Sequence, residues 1–247
     1  MTTTALYAEE DVVIPEPSLP AASAVPYSGY ASIVSQYLRD LADGALRVDS
    51  DAVGEVAACV IRTMSVGRSV LIAGNGGSAT TADHMACDWS AGGLRAGYRV
   101  ARATCLSSNS AYVTALANDI DFSQVFAEQI RTIGMKGDLL ILLSVSGDSP
   151  NLLEAAKAAH ERGLTVAALL GNAGAVAQHC DVIVEAGAGD YGLAEDLHLA
   201  LNHAIVRILQ GGRPHRYDSS VSAAPRGGGE FPESVSLPSG RADLVRE

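Results

Sequence analysis

The sequence predicts a three-layer αβα sandwich around a parallel sheet of five strands. Three observations carry the prediction. Strand-like apolar runs alternate with helix-period segments from residue 69 to about residue 210. One run, Leu139–Leu143, is apolar at every position, as a strand covered on both faces must be. Two runs end in polar turns, Gly74–Ser78 and Ser144–Ser149, each followed by a helix-compatible segment. Strands that alternate with helices must be joined by crossovers, and crossovers make neighbouring strands parallel.

The elements follow in order. Residues 1–26 hold Pro15, Pro17, Pro20 and Pro26 among acidic and small residues with no sustained period, which predicts a disordered leader. From Tyr27 to about Leu46, Ile33, Val34, Tyr37, Leu38 and Leu41 recur at helical spacing. Asp49 or Ser50 caps a second helix through Val53, Val56, Ala57, Val60 and Met64. A strand over 69–73 and a helix over about 79–91 open the alternation, and a short strand over 102–106 continues it. A helix then runs toward Ala117, Asn118-Asp119 breaks it, and a further helix covers about 123–133, where Val125, Phe126, Ile130 and Ile133 share a face. The apolar strand before Ser144 is followed by a helix over about 150–162, with Pro150 tolerated in its first turn. A strand over 165–170, a short helix over about 173–179 and a strand over 181–184 complete the sheet. After a loop at Gly187–Gly189, a last amphipathic helix runs from about Tyr191 to Gln210 with Glu195, His198 and His203. The sequence thus divides into a leader (1–26), one folded domain (27–213) and a second disordered tail (214–247).

Composition narrows the function. A chain of 247 residues, 48% of them hydrophobic, can bury one sizeable core. A net charge of −11 with only 17 Lys and Arg excludes a nucleic-acid surface, which needs clustered cations. An anionic ligand must then be held by backbone dipoles. There is no 18-residue apolar run, and Glu9, Glu10 and Asp11 stand where a secretory signal would be basic, so a soluble, cytoplasmic protein without membrane contact is expected. Cys59, Cys87, Cys105 and Cys180 show no CxxC spacing and are expected as buried free thiols.

The two polar turns carry the candidate chemistry. Ligands of parallel sheets bind beyond the carboxyl ends of the strands, where both turns fall. Glycines let the backbone approach an anion, and free N–H groups at a helix start supply positive potential without a lysine. Ser78, Ser144, Ser146 and Ser149 are placed to surround one phosphate, although any one of them is equally a helix cap. His84 and Asp88 share a helical face about 6 Å apart by rise, which suits metal ligation or proton transfer as well as a surface ion pair. Glu195 and His203 are separated by about 12 Å of rise in a continuous helix. Spacing alone leaves His198 and His203 both open as partners of Glu195.

With these residues in place, the chain resembles the sugar isomerase (SIS) family, and within it the phosphoheptose isomerases, over about residues 30–210. The resemblance lies in GNGGS at 74–78 followed by His84, Ala-Asn-Asp at 117–119, Ser-x-Ser-Gly-x-Ser at 144–149, and the Glu195, His198, His203 helix. It implies a flavodoxin-like SIS fold and conversion of sedoheptulose 7-phosphate to D-glycero-D-manno-heptose 7-phosphate. It further implies substrate contacts from Asn75, Gly76, Gly77, Ser78, Asn118, Asp119, Ser144, Ser146, Ser149 and Glu195, and a zinc ion held by His84, Asp88, Glu195 and His203. Asp88 is the implied base and His203 its acid–base partner, in a homotetramer with active sites between subunits. Where the family has Glu and Gln among its metal ligands, this chain has Asp88 and Glu195. The competing expectation is a non-catalytic SIS protein that binds a phosphosugar or a protein partner.

Overall fold

The computed structural model describes residues 27–98, 101–187 and 189–212; the predicted leader and tail lie outside them. Two helices, α1 (Tyr27–Arg47) and α2 (Ser50–Ser65), precede β1 (Ser69–Gly74). Asp49 caps α2, its carboxylate accepting hydrogen bonds from the N–H groups of Asp51 and Ala52. The chain then runs through α3 (Gly76–Arg95), β2 (Arg102–Cys105), α4 (Ser110–Asp119), α5 (Ala127–Ile133), β3 (Leu139–Ser144), α6 (Pro150–Arg162), β4 (Thr165–Leu170), β5 (Val182–Glu185) and α7 (Tyr191–Leu209).

All five strands are parallel, in the order β2-β1-β3-β4-β5. This is the flavodoxin-like order, in which the chain leaves β1 in one direction along the sheet and later returns to β1's other side with β3. Strand alternation sorts the core into two layers. Val70, Ile72, Leu139, Ile141 and Leu143 point toward α2, α3 and α7 with Met85, Trp89 and Ile205. Leu71, Ala73, Leu140 and Leu142 point toward α5 and α6 with Phe126, Ile130 and Leu152. Every residue of β3 is buried, which explains its unbroken apolar run.

Four expectations need correction. Helix α3 starts at Gly76 instead of about residue 79, because the glycine turn itself forms the first helical turn. Asn118 and Asp119 do not break α4 but finish it: the helix closes with Ile120 N and Asp121 N both donating to the Leu116 carbonyl, while the two side chains bond each other, Asn118 Nδ2 to Asp119 Oδ1 at 2.8 Å. The helix expected over 123–133 is split into a 3₁₀ turn (Phe122–Gln124) and α5, since the Asp121 carboxylate caps the turn at Ser123 N, 2.7 Å away; the segment expected over 173–179 is likewise a 3₁₀ turn, Ala175–His179. Of the free cysteines, Cys59 and Cys105 are buried, Cys180 is half-buried and Cys87 is exposed. Among the described residues no helix is long and apolar enough to cross a membrane.

Candidate functional site

The site is assembled at the point where the strand order reverses. β1 and β3 are neighbours, and the turns at their carboxyl ends open a cleft of about 340 Å³ between them. Asn75, Gly77, Ser78, Ser144, Ser146 and Ser149 line it together with Tyr191 and Glu195 of α7. Among the described residues none that lines it is basic, so an anion there is met by N–H groups and hydroxyls.

The turns are braced from below. Asn75 and Asn151 exchange side-chain amide hydrogen bonds of 2.9 and 2.8 Å, tying the start of α3 to the start of α6. Asn75 therefore does not cap α3 with its side chain, and the first N–H groups of that helix are left for a ligand. In the second turn, Ser144 Oγ accepts from Gly147 N at 3.0 Å and Ser146 Oγ from Asp148 N at 3.3 Å. Gly147 has φ +73°, and a β-carbon there would collide with the Asn172 carbonyl, so this turn tolerates only glycine. Ser149 precedes α6 without a side-chain cap bond, and its hydroxyl is free to face the cleft.

A second group lies further along α3 and α7. His84 Nε2 is 3.1 Å from Asp88 Oδ2, and His203 Nε2 is 3.7 Å from the same oxygen. The two imidazole rings meet edge to face, with centroids 5.3 Å apart. One donor atom from each of the three residues lies within 4.8 Å of the others. Donors bound about 2 Å from a tetrahedral ion stand about 3.3 Å apart, so these positions fit a zinc-like cation. Asn202 joins the group from the buried side, its Nδ2 donating to Asp88 Oδ2 at 2.9 Å.

The expected residues therefore fall into two groups and a remainder. The turns at 74–78 and 144–149 converge on one cleft, and His84, Asp88 and His203 converge on one another. Glu195 belongs to the first group: its carboxylate sits over Gly77, so close that a β-carbon on Gly77 would strike it, and it is not among the three clustered donors. Helix α7 begins at Tyr191, so Glu195 and His203 are separated by two turns of regular helix. His198 serves neither group. It is fully buried, among the described residues neither ring nitrogen has a hydrogen-bond partner, and burial lowers its pKa to about 4. Asn118 and Asp119 are exposed at the end of α4 and line neither group.

Three contributors were not foreseen. Asn151 and Asn202 are 1% and 0% exposed; each is a polar residue on a mostly apolar helix face, shared in α7 with His198, a pattern the sequence does display. Tyr37 is the third: its hydroxyl donates to Asp196 Oδ2 at 2.7 Å and joins α1 to α7 beside Glu195. That bond, with partial desolvation and the nearby carboxylates, raises the phenol pKa to about 12, so the hydroxyl stays a donor at neutral pH.

Residues 35–171 match the SIS domain family model. The phosphoheptose isomerase of Chlorobaculum parvum is 36% identical over 180 residues, covering 70% of this chain and 85% of that protein. The phosphoheptose isomerase of a Bradyrhizobium strain is 36% identical over 162 residues, covering 64% of this chain and 79% of the relative. Among solved structures, phosphoheptose isomerase GmhA from Neisseria gonorrhoeae superposes with a TM-score of 0.68 at 28% identity, covering 73% of this chain and 98% of that one. The family model spans more than half of this chain and the matched relatives are covered over most of their length, so the chain belongs to the SIS-domain family, in its phosphoheptose isomerase group.

Proposed function

We propose that this chain interconverts sedoheptulose 7-phosphate and D-glycero-D-manno-heptose 7-phosphate by proton transfer through an enediolate. The reaction is that of the family to which the chain belongs; what supports it at this site is the carboxylate of Asp88 held between two imidazoles beside a non-basic anion cleft. The cleft receives the phosphate on the N–H groups of Gly76, Gly77 and Ser78 and on the hydroxyls of Ser144, Ser146 and Ser149. Asp88 removes the proton from the carbon next to the carbonyl, and His203 returns one. Asp88 Oδ2 is engaged by His84, His203 and Asn202, whereas among the described residues no hydrogen bond engages Oδ1, which is left as the basic oxygen.

His84, Asp88 and His203 are the residues that would hold a divalent metal, best zinc by donor type and spacing. Bound there, zinc would supply Lewis-acid polarisation of the substrate carbonyl. Glu195 completes a fourth ligand position only by leaving Gly77, and where it stays it contacts the substrate at the phosphate end of the cleft.

Helix α1 supports a homotetramer. Tyr30, Ile33, Val34 and Leu38 form a stripe along it, each more than half exposed, and a contiguous apolar surface of this kind marks a protein interface. A cytoplasmic location is part of this reading, since the proposed substrate is a soluble sugar phosphate.

The test is isotope exchange. In deuterated water, wild-type protein with sedoheptulose 7-phosphate incorporates deuterium at the carbon next to the carbonyl, and Asp88→Asn abolishes the incorporation while substrate still binds. Wild-type protein that exchanges with neither heptulose nor hexulose phosphates, yet binds them, overturns the enzymatic reading in favour of a non-catalytic phosphosugar-binding protein.

A further inference from the structure

We propose that Asn202 is the positioning residue for Asp88, fixing the carboxylate so that Oδ2 faces the two histidines and Oδ1 faces the substrate; this rests on the function proposed above. The argument begins with burial. Asn202 is 0% exposed, on the face of α7 that also carries Leu197, His198, Ile205 and Leu209, where an aliphatic residue would be the cheap choice. Its Oδ1 is buried, and among the described residues it has no hydrogen-bond partner. A buried acceptor without a partner is a standing cost to the fold. Stability therefore gives no reason for an amide here.

Among the described residues, the one polar contact the amide makes is the bond from Nδ2 to Asp88 Oδ2 at 2.9 Å. The orientation of the amide is fixed by chemistry, because an ionised carboxylate only accepts and must face the NH₂ group. Asp88 otherwise has freedom about its terminal torsion, and the oxygens exchange places when it turns. His84 and His203 approach Oδ2 from the exposed side, with side-chain exposures of 47% and 53%, and cannot hold the carboxylate alone. Asn202 approaches from the core and closes the third side. An aspartate has one fewer rotatable bond than a glutamate but also a shorter reach, so its usefulness as a base depends on a fixed direction, and an error of about 1 Å costs on the order of 100-fold.

The placement follows from helix periodicity. Asn202 is seven residues after Glu195 and directly precedes His203. Residues seven apart return to the same helix face, so the seam of α7 that sets Glu195 over Gly77 sets Asn202 against Asp88. The neighbouring His203 is turned toward solvent and reaches the same carboxylate from outside. One helical step thus supplies both a buried donor and an exposed imidazole to a single oxygen.

The test uses Asn202→Leu, which keeps the bulk, and Asn202→Ser, whose hydroxyl stops one bond short of the amide nitrogen. Each is compared with wild type in the full chain for Zn²⁺ affinity by competition with a chelating dye, and for kcat and KM on sedoheptulose 7-phosphate. A group that orients a metal ligand is worth about 10- to 100-fold in affinity or activity. The expected result is Zn²⁺ affinity and kcat both lowered by about that factor, with KM unchanged because the phosphate cleft is untouched. Folded variants with wild-type Zn²⁺ affinity and kcat, or with a raised KM at unchanged kcat, overturn the proposal. Failure of both variants to fold also overturns it, making Asn202 a structural residue of the α3–α7 contact. Zinc binding is read without substrate, so a wild type that binds Zn²⁺ but turns over no sugar phosphate sinks the reaction while Asn202 is still judged on affinity.

Discussion

Replacing His198 by leucine removes a pH dependence of stability that the structure builds into α7. His198 is fully buried, and desolvation lowers its pKa from 6.5 to about 4, with the Leu170 backbone beside the ring offsetting only part of the effect. A folded-state pKa below the unfolded one means that the unfolded chain binds more protons between the two values. Stability is therefore fully present above pH 6.5 and is lost as pH falls from 6.5 toward 4. The loss from this residue is about 2 kcal/mol by pH 5 and levels at about 3 kcal/mol below pH 4. Urea unfolding of wild type and His198→Leu at fixed protomer concentration, from pH 8 to pH 4.5, isolates the contribution as the difference between the two curves. At pH 8 the variant is at least as stable as wild type, since leucine carries no buried nitrogens without partners. The advantage of the variant then widens with acid. A wild-type-minus-variant difference that stays flat from pH 8 to pH 5 refutes the reasoning and shows that the imidazole is charged or solvated in the native state.

The double variant Ser146→Ala, Ser149→Ala removes two hydroxyls from the cleft, and hydrogen bonds to a charged oxygen are worth about 1.5–3 kcal/mol each. KM for the sugar phosphate rises by at least about 100-fold in steady-state kinetics, and an unchanged KM removes these serines from phosphate recognition. Stripping metal with a chelator abolishes turnover and restoring Zn²⁺ recovers it, while circular dichroism is unchanged because the two apolar layers of the sheet do not pass through the His84–Asp88–His203 group. Full activity in chelator, with no stoichiometric ion by elemental analysis, rejects the metal.

The parts of the fold that periodicity dictates were legible in the sequence. The unbroken Leu139–Leu143 run has one physical meaning, a strand covered on both faces, and β3 is that strand. Pro150 and Gly163 mark the two ends of α6, the glycine in the left-handed region at φ +74° that its position requires. The order of the strands was not legible in periodicity, because a strand's own pattern does not name its neighbour; it followed only from the resemblance, whose flavodoxin-like fold has the order observed. Asn118-Asp119 misled for a related reason: such residues favour turns by bonding the backbone, but here their side chains bond each other and the backbone ends α4 on the Leu116 carbonyl. At the site, both turns were visible because glycine and serine after an apolar strand report a local backbone geometry. The asparagines at 151 and 202 were not read, although each interrupts an apolar helix face, because the partners that give them meaning, Asn75 and Asp88, are 76 and 114 residues away.

What joins the two groups into one site is the direction shared by α3 and α7. Glu195 meets Gly77 near the start of both helices, and Asn202 meets Asp88 further along both, so the two helices run the same way with their seam facing inward. Seven residues of α7 separate Glu195 from Asn202 and eleven of α3 separate Gly77 from Asp88, about 10 and about 16 Å of helix rise. The cleft that suits a phosphate and the carboxylate that suits proton abstraction are therefore set apart along one line. A chain of carbons with bonds of about 1.5 Å advances somewhat less than that per bond when extended, so seven bonds from the second carbon of a heptulose to its terminal phosphorus span about 9 Å. A triose phosphate covers less than half of that length. That separation is more than a triose phosphate would bridge, so the function proposed above calls for a long sugar phosphate, which would be held at its far end by uncharged donors and would present its carbonyl end to Asp88 from the direction that Asn202 allows.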